Sequence, residues 1–165
     1  HWTQMSDEQM REIYGNYSRD ITTPCSGNAE DLNRYLKGKG VLSGQGQAFI
    51  DAQNKYGISA AVLAGIAISE SGGTSSLARK RFNVTSISSS RGWRRFNNVS
   101  ECIDYTASML ANRYVKNSGL SGVSLKTLYQ INAKYCPVSD TRNNSSNNRF
   151  WAQNVENKVR EIEKA

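Results

Sequence analysis

Hydrophobic and polar positions along this chain recur mostly with the helical period. Ser6-Asp7-Glu8-Gln9 has the spacing of a capping box, and Met10, Ile13, Tyr14 and Tyr17 follow at helical intervals, which predicts an N-terminal amphipathic helix. Thr22-Thr23-Pro24-Cys25-Ser26-Gly27 breaks it. Leu32, Tyr35 and Leu36 share one face of a short helix predicted over residues 31–37, which stops at Gly38. Another is expected from Ser43 or Gly44, with Phe49, Ile50 and Tyr56 inward and Gly57 as its C-cap. The pattern then changes. Ser59 caps a run in which Val62, Leu63, Ile66 and Ala67 leave almost no polar face, as in a helix buried on all sides. That run ends in a single carboxylate, Glu70, followed by Ser71-Gly72-Gly73.

Residues 79–99 carry β-branched and aromatic side chains and many serines, with no long helical period. They are predicted to be irregular, with room for a short hairpin. Ser100 opens a helix striped by Ile103, Ala107, Leu110 and Tyr114, and Ser124 opens another with Leu125, Leu128 and Ile131. Residues 139–148 read as a polar Asn/Ser loop. A last helix from about Phe150 sets Trp151, Val155, Val159 and Ile162 along one face. There is no internal repeat. The expected fold is mainly α: a single helical domain with a small irregular or β-hairpin lobe inserted after the buried helix.

The length of 165 residues fits one domain with a real core. No run approaches the roughly 18–20 apolar residues that span a bilayer, so no membrane insertion is expected. His1-Trp2-Thr3-Gln4-Met5 lacks the basic-then-apolar pattern of a signal peptide. Any export signal has therefore been removed, or the chain is a fragment, or it is delivered another way. The net charge of +7 favours an acidic partner. The basic residues gather partly in Arg79-Lys80-Arg81 and at Arg91, Arg94 and Arg95, without a nucleic-acid-binding motif, and no nucleic-acid partner is expected. His1 is the one histidine, and Cys25, Cys102 and Cys136 lack metal-ligand spacing. This argues against structural zinc, a Ser–His–Asp triad and a Cys–His pair, and no cofactor is expected. The cysteines are compatible with one disulfide and one thiol, or with three reduced thiols. Acid–base chemistry is left to carboxylates, tyrosines and lysines.

Glu70 ends the most apolar segment of the chain. Desolvation there, and a helix C-terminus whose partial charge is negative, both raise the pKa of a carboxyl group. Nearby Arg and Lys side chains act the other way. If burial wins, Glu70 stays protonated near neutral pH and can act as a general acid. The alternative is an exposed glutamate in a last helical turn.

The segment Glu70-Ser71-Gly72-Gly73-Thr74-Ser75-Ser76-Leu77-Ala78, with the apolar helix before it, resembles the signature of the glucosaminidases of glycoside hydrolase family 73, in the lysozyme-like superfamily. Their pattern is E-S/T-G-x-G-T-S-x-L-A, and the glycine turn is one residue shorter here. Upstream, Gly46-Gln47-Ala48-Phe49-Ile50-Asp51-Ala52 and Lys55-Tyr56-Gly57-Ile58 resemble the G-x-A-F-x-x-A and K-Y-G-I pieces. Asn83-Val84-Thr85-Ser86-Ile87 stands where the family has N-L-F-G-I, with Phe and Gly replaced by Thr85 and Ser86. Arg95-Phe96, Ser100 to Asp104-Tyr105, Ala133-Lys134-Tyr135 and Trp151-Ala152 to Val155 resemble later motifs, so the likeness spans roughly residues 36–160.

The resemblance implies a lysozyme-like core over residues 31–165 with an N-terminal helical extension over 1–30. It also implies cleavage of the β-1,4 bond between N-acetylglucosamine and N-acetylmuramic acid in peptidoglycan. Glu70 would protonate the leaving oxygen and Tyr135 would hydrogen-bond the reacting sugar or its acetamido group. Asn83, Phe82, Trp93, Arg95, Tyr105 and Asp140 are the candidate substrate contacts. The implied partners are glycan strands and anionic wall polymers, met by a monomeric domain that is secreted, wall-associated or carried on a phage virion. Lytic transglycosylase or muramidase action, or a catalytically weak wall-binding module, are the alternatives.

A standard glycosidase needs a second carboxylate. Residues 71–100 contain no Asp or Glu. Glu101 suits a first helical turn, Asp104 belongs to a motif that can be structural, Asp51 reads as a surface residue, and Asp140 lies in the polar loop. Attack by the sugar's own 2-acetamido group would remove the need for a second acid.

Overall fold

The structure, a computed structural model, describes residues 2–138 and 145–165. A short 3-10 turn, Trp2–Gln4, leads into α1 (Asp7–Tyr14), where Ser6 and Gln9 form the expected capping box. This helix stops at Gly15, so Tyr17 lies beyond the stripe assigned to it. α2 (Ala29–Leu36) starts before the expected position, because Asn28 and Asp31 cap it reciprocally. A 3-10 turn, Gly40–Leu42, precedes α3 (Gly46–Tyr56), which Gly57 closes in the left-handed conformation. α4 (Ala60–Glu70) is buried at every position from Ala60 to Ala67.

The lobe is more regular than expected. Ser75 caps a short helix, α5 (Ser76–Arg81), and β1 (Ser88–Ser89) pairs antiparallel with β2 (Gly92–Trp93). α6 (Val99–Leu110) is capped by Asn98 rather than Ser100, and runs into a π-helical turn, Ala111–Val115. α7 (Leu128–Tyr135) is capped by Thr127, not Ser124, and Leu125 is buried ahead of it. Of the polar loop, residues 139–144, Asp140 among them, lie outside the described residues, and 145–148 form a single helical turn, α8 (Ser145–Asn148). α9 (Trp151–Lys164) closes the chain.

α4 is the hub of the core and packs against α3, α6 and, most extensively, α9. Each of Val62, Leu63 and Ile66 is fully buried, a stabilisation of roughly 1.5–3 kcal/mol per side chain. α4 and α9 run antiparallel. Gly65 faces Val155 and Val159 five residues before Glu70 meets Trp151 at the start of α9. The N-terminal segment is woven into the same body: Ile21 is fully buried, its N–H and C=O bond Lys126 and Ser59, and Arg19 clamps Glu156 of α9 through two hydrogen bonds of 2.7 and 2.9 Å. No described helix is long and apolar enough to cross a membrane.

A Cβ at Gly65 would lie 3.1 Å from Val159 Cγ2 and 3.2 Å from the Val155 carbonyl. Gly65→Val forces the two helices apart and is expected to lower stability by about 1–3 kcal/mol, read as a fall in the urea midpoint at unchanged slope.

Candidate active site

Glu70 is the last residue of α4, and its Oε1 accepts the indole N–H of Trp151 at 3.0 Å. The antiparallel crossing at Gly65 brings the first residue of α9 to that position. The Ser86 side chain, on the loop after α5, is near enough to the same carboxylate to lower its pKa. Tyr135, the last residue of α7, donates its hydroxyl to the Thr85 carbonyl at 3.1 Å, and its ring lies 5.1 Å from the Trp151 ring at 36°. Four segments distant in sequence thus converge on one carboxyl group.

Burial raises the pKa of Glu70, and the hydrogen bonds from Trp151 and Ser86 offset that only in part. Burial likewise holds the Tyr135 phenol well above its ordinary value, reinforced by the charge of Glu70 and then by Tyr114. Tyr135 is therefore a hydrogen-bonding neutral phenol rather than a base. An indole N–H only donates, so it occupies one lone pair on Oε1 and favours placing the proton on Oε2.

The turn after Glu70 is clamped. Ser71 Oγ donates to the Ala67 carbonyl at 3.0 Å and accepts the Gly73 N–H at 3.1 Å. Gly73 has φ +77°, its carbonyl accepts the Val41 N–H at 2.9 Å, and a Cβ on it would lie 2.0 Å from the Lys39 carbonyl. Only glycine lets the two turns meet this closely.

Of the residues singled out from sequence, Glu70 and Tyr135 come together. Asn83 is a correction: it is fully buried, its Nδ2 donates to the carbonyls of Ile87 and Arg94, and its Oδ1 accepts the Ile87 N–H. It braces the loop and has no amide atom to spare for a sugar. Phe82 packs partly against the core while ending α5. Trp93, 46% exposed, stands on the hairpin. Arg95 donates to the Lys80 carbonyl, and Tyr105 lies under the Arg94 guanidinium at 4.2 Å, so neither is joined to Glu70 by these contacts. Asp140 is outside the described residues. Trp151 and Ser86 were missed as site residues. A tryptophan whose N–H needs a partner once buried was the available signal for the first; for the second there was only a serine standing where the family has glycine.

Among the described residues, the other acids weighed from sequence are engaged elsewhere. Asp104 accepts from Tyr56 and Lys55, Glu101 from the Asn97 N–H, and Asp51 from Gln47. Among the described residues no Asp or Glu perturbs Glu70. No cluster of His, Cys, Asp and Glu that could hold a metal lies among them, and no disulfide joins the three cysteines. A cavity of about 480 Å³ beside α1, lined by Trp2, Met5, Ile13, Tyr14, Pro137 and Val138, contains none of the groups around Glu70.

Residues 46–164 match the glucosaminidase family model, described as mannosyl-glycoprotein endo-beta-N-acetylglucosaminidase. The chain belongs to the glucosaminidase family. It is 37% identical over 100 residues to the bifunctional autolysin of Staphylococcus epidermidis, covering 59% of this chain and 8% of that protein. It is 35% identical over 107 residues to the bifunctional autolysin of Staphylococcus aureus, covering 63% of this chain and 9% of that one. The chain therefore spans less than a tenth of the length of these relatives. A catalytic mutant of S. aureus autolysin E, solved in complex with the disaccharide NAG-NAM, superposes with TM-score 0.72 at 20% identity, covering 97% of this chain and 79% of that one. The structure of the major bifunctional autolysin superposes with TM-score 0.55 at 25% identity, covering 94% of this chain and 74% of that one. The fold is the mainly helical, lysozyme-like one of these autolysin structures, and the family it belongs to is one of glycoside hydrolases.

Because burial raises the folded-state pKa of Glu70, folding takes up a proton in the window between the unfolded value and the raised folded one. Stability falls as pH rises through that window. Glu70→Gln removes the ionised form. It is expected to melt at or above the wild-type temperature at neutral pH, with the advantage vanishing below the ordinary carboxyl range; thermal unfolding across pH measures this.

Proposed function

We propose that this glucosaminidase hydrolyses the β-1,4 bond between N-acetylglucosamine and N-acetylmuramic acid in peptidoglycan, with Glu70 as the general acid. The observation that carries the reading is the carboxyl group at the end of the buried helix α4, raised by burial and oriented by Trp151. The likeness to autolysins, one of them solved with NAG-NAM, favours wall glycan over the glycoprotein of the family description.

In this mechanism Glu70 Oε2 delivers its proton to the leaving glycosidic oxygen as the bond to the anomeric carbon breaks. The sugar's 2-acetamido oxygen forms a bond to that carbon in its place. Glu70, now a carboxylate, then takes a proton from the water that opens the cyclic intermediate, which restores the acid. The substrate-assisted route is supported by the acid-free stretch 71–100 and by the engagement of Asp51, Glu101 and Asp104 elsewhere. Tyr135 spends its proton on the Thr85 carbonyl, which leaves its oxygen lone pairs to accept an acetamido N–H and sharpen the attacking oxygen.

The exposed Arg79, Lys80, Arg81, Arg91, Arg94 and Arg95 suit anionic wall polymers or peptide-stem carboxylates beside the glycan, and Trp93 and Phe82 are the sugar-stacking candidates. The chain acts as one monomeric domain, 31–165 its core and 1–30 an extension, outside the cell at the wall or on a phage virion.

Purified sacculi incubated with the wild type are expected to release muropeptides ending in reducing N-acetylglucosamine, read by mass spectrometry, and Glu70→Gln is expected to release none. Reducing N-acetylmuramic acid ends would make the enzyme a muramidase, and 1,6-anhydro ends a transglycosylase. Absence of any glycan product would leave a wall-binding module.

A further inference from the structure

We propose that Ser86 is a positioning residue for Glu70, held in a left-handed backbone conformation so that its hydroxyl donates to the Glu70 carboxylate. This rests on Glu70 being the acid.

Two described non-glycine residues have positive φ, Phe82 at +53° and Ser86 at +59°. Phe82 has a local reason, since it ends α5 and returns its N–H to the Leu77 carbonyl. Ser86 ends no helix or strand. An L side chain in this region is unfavourable and persists where the surroundings over-determine it, typically at functional sites. The surroundings here do so. Asn83 closes residues 83–87 into a loop by bonding both the N–H and the C=O of Ile87, at 2.9 and 2.8 Å, and ties that loop to the Arg94 carbonyl at 2.9 Å. Thr85, buried next to Ser86, bonds Thr106 Oγ1 of α6 at 2.7 Å and gives its carbonyl to Tyr135. Val84 and Ile87 are buried on either side. Of this loop's side chains, that of Ser86 is the one that lowers the Glu70 pKa.

The groups acting on the Glu70 carboxyl are the Trp151 N–H from α9, the Ser86 hydroxyl from the loop and the Tyr135 phenol from α7; no described cation or carboxylate contributes. During proton transfer Glu70 changes from neutral to anionic in a partly desolvated place. Trp151 offers a fixed donor to Oε1. The Ser86 hydroxyl can rotate, and its donation strengthens as the charge forms, so it makes Glu70 a stronger acid than burial alone would leave.

Ser86→Ala and Ser86→Gly, each with Glu70 intact, test this on sacculi across pH. Both remove the hydroxyl, and Ser86→Gly also relieves the left-handed backbone. In both, the alkaline limb of kcat/KM, which reports loss of the Glu70 proton, is expected to move to higher pH. Turnover on the plateau is expected to fall about ten- to a hundredfold, the range of a hydrogen bond to a charged group. Ser86→Gly is also expected to melt above Ser86→Ala. An unmoved limb and near-wild-type turnover in the well-folded Ser86→Gly would overturn the proposal, as would a shift confined to Ser86→Ala. Those results with an inactive Glu70→Gln would leave the acid assignment standing. An active Glu70→Gln would remove both.

Discussion

Trp151 donates its indole N–H to Glu70 across the seam between α4 and α9, and that contact sets the demands on the rest of the chain. Excluding water raises the pKa of a carboxyl group, and the helix that carries Glu70 is apolar and buried from Ala60 to Ala67. The N–H can reach it only if the two helices approach closely five residues earlier, which is what Gly65 permits. In the proposed function that carboxyl group meets a bulky glycan, and the chain turns away from it at once. The Ser71-Gly72-Gly73 turn does this, locked against Lys39 and Val41.

The lobe that follows serves the same group from the other side. Its loop 83–87 is a rigid shelf built from an inward-facing asparagine and a buried threonine pair, and it carries the Tyr135 contact and the Ser86 hydroxyl. Six cations and no carboxylate lie between residues 71 and 100. A carboxylate there would repel an ionised Glu70, raise its pKa further and add a second catalytic acid. Its absence supports the proposed route, in which one proton donor works with the substrate's own acetamido group.

Much of the fold was legible because burial and period are local in sequence. The all-apolar run from Ala60 to Ala67, the Ser6 and Gln9 pair and the stripe on α9 each predicted their element. Helix starts were less legible where several capping residues compete. Ser124 lost to Thr127 because the backbone bond from Leu125 to the Tyr114 carbonyl draws the chain into the core first, and Asn98 stood two residues ahead of Ser100. At the site, Glu70 was legible from its neighbours. Asn83 was misread because a polar residue near a site looks the same whether it faces substrate or bonds its own loop, and only the backbone positions around it decide. Trp151 lay hidden in a helical stripe, eighty-one residues from its partner. The left-handed backbone of Ser86 leaves no mark in the residue letters.

Burial outweighs the Trp151 hydrogen bond and the Ser86 hydroxyl at Glu70, and a carboxyl-carbon NMR titration of the folded chain, with Glu70→Gln identifying the signal, measures the balance. The expected result is a Glu70 midpoint above the ordinary glutamate range. A midpoint at or below that range would rule out Glu70 as the acid, because the carboxyl group would then be ionised at neutral pH and could not deliver the proton.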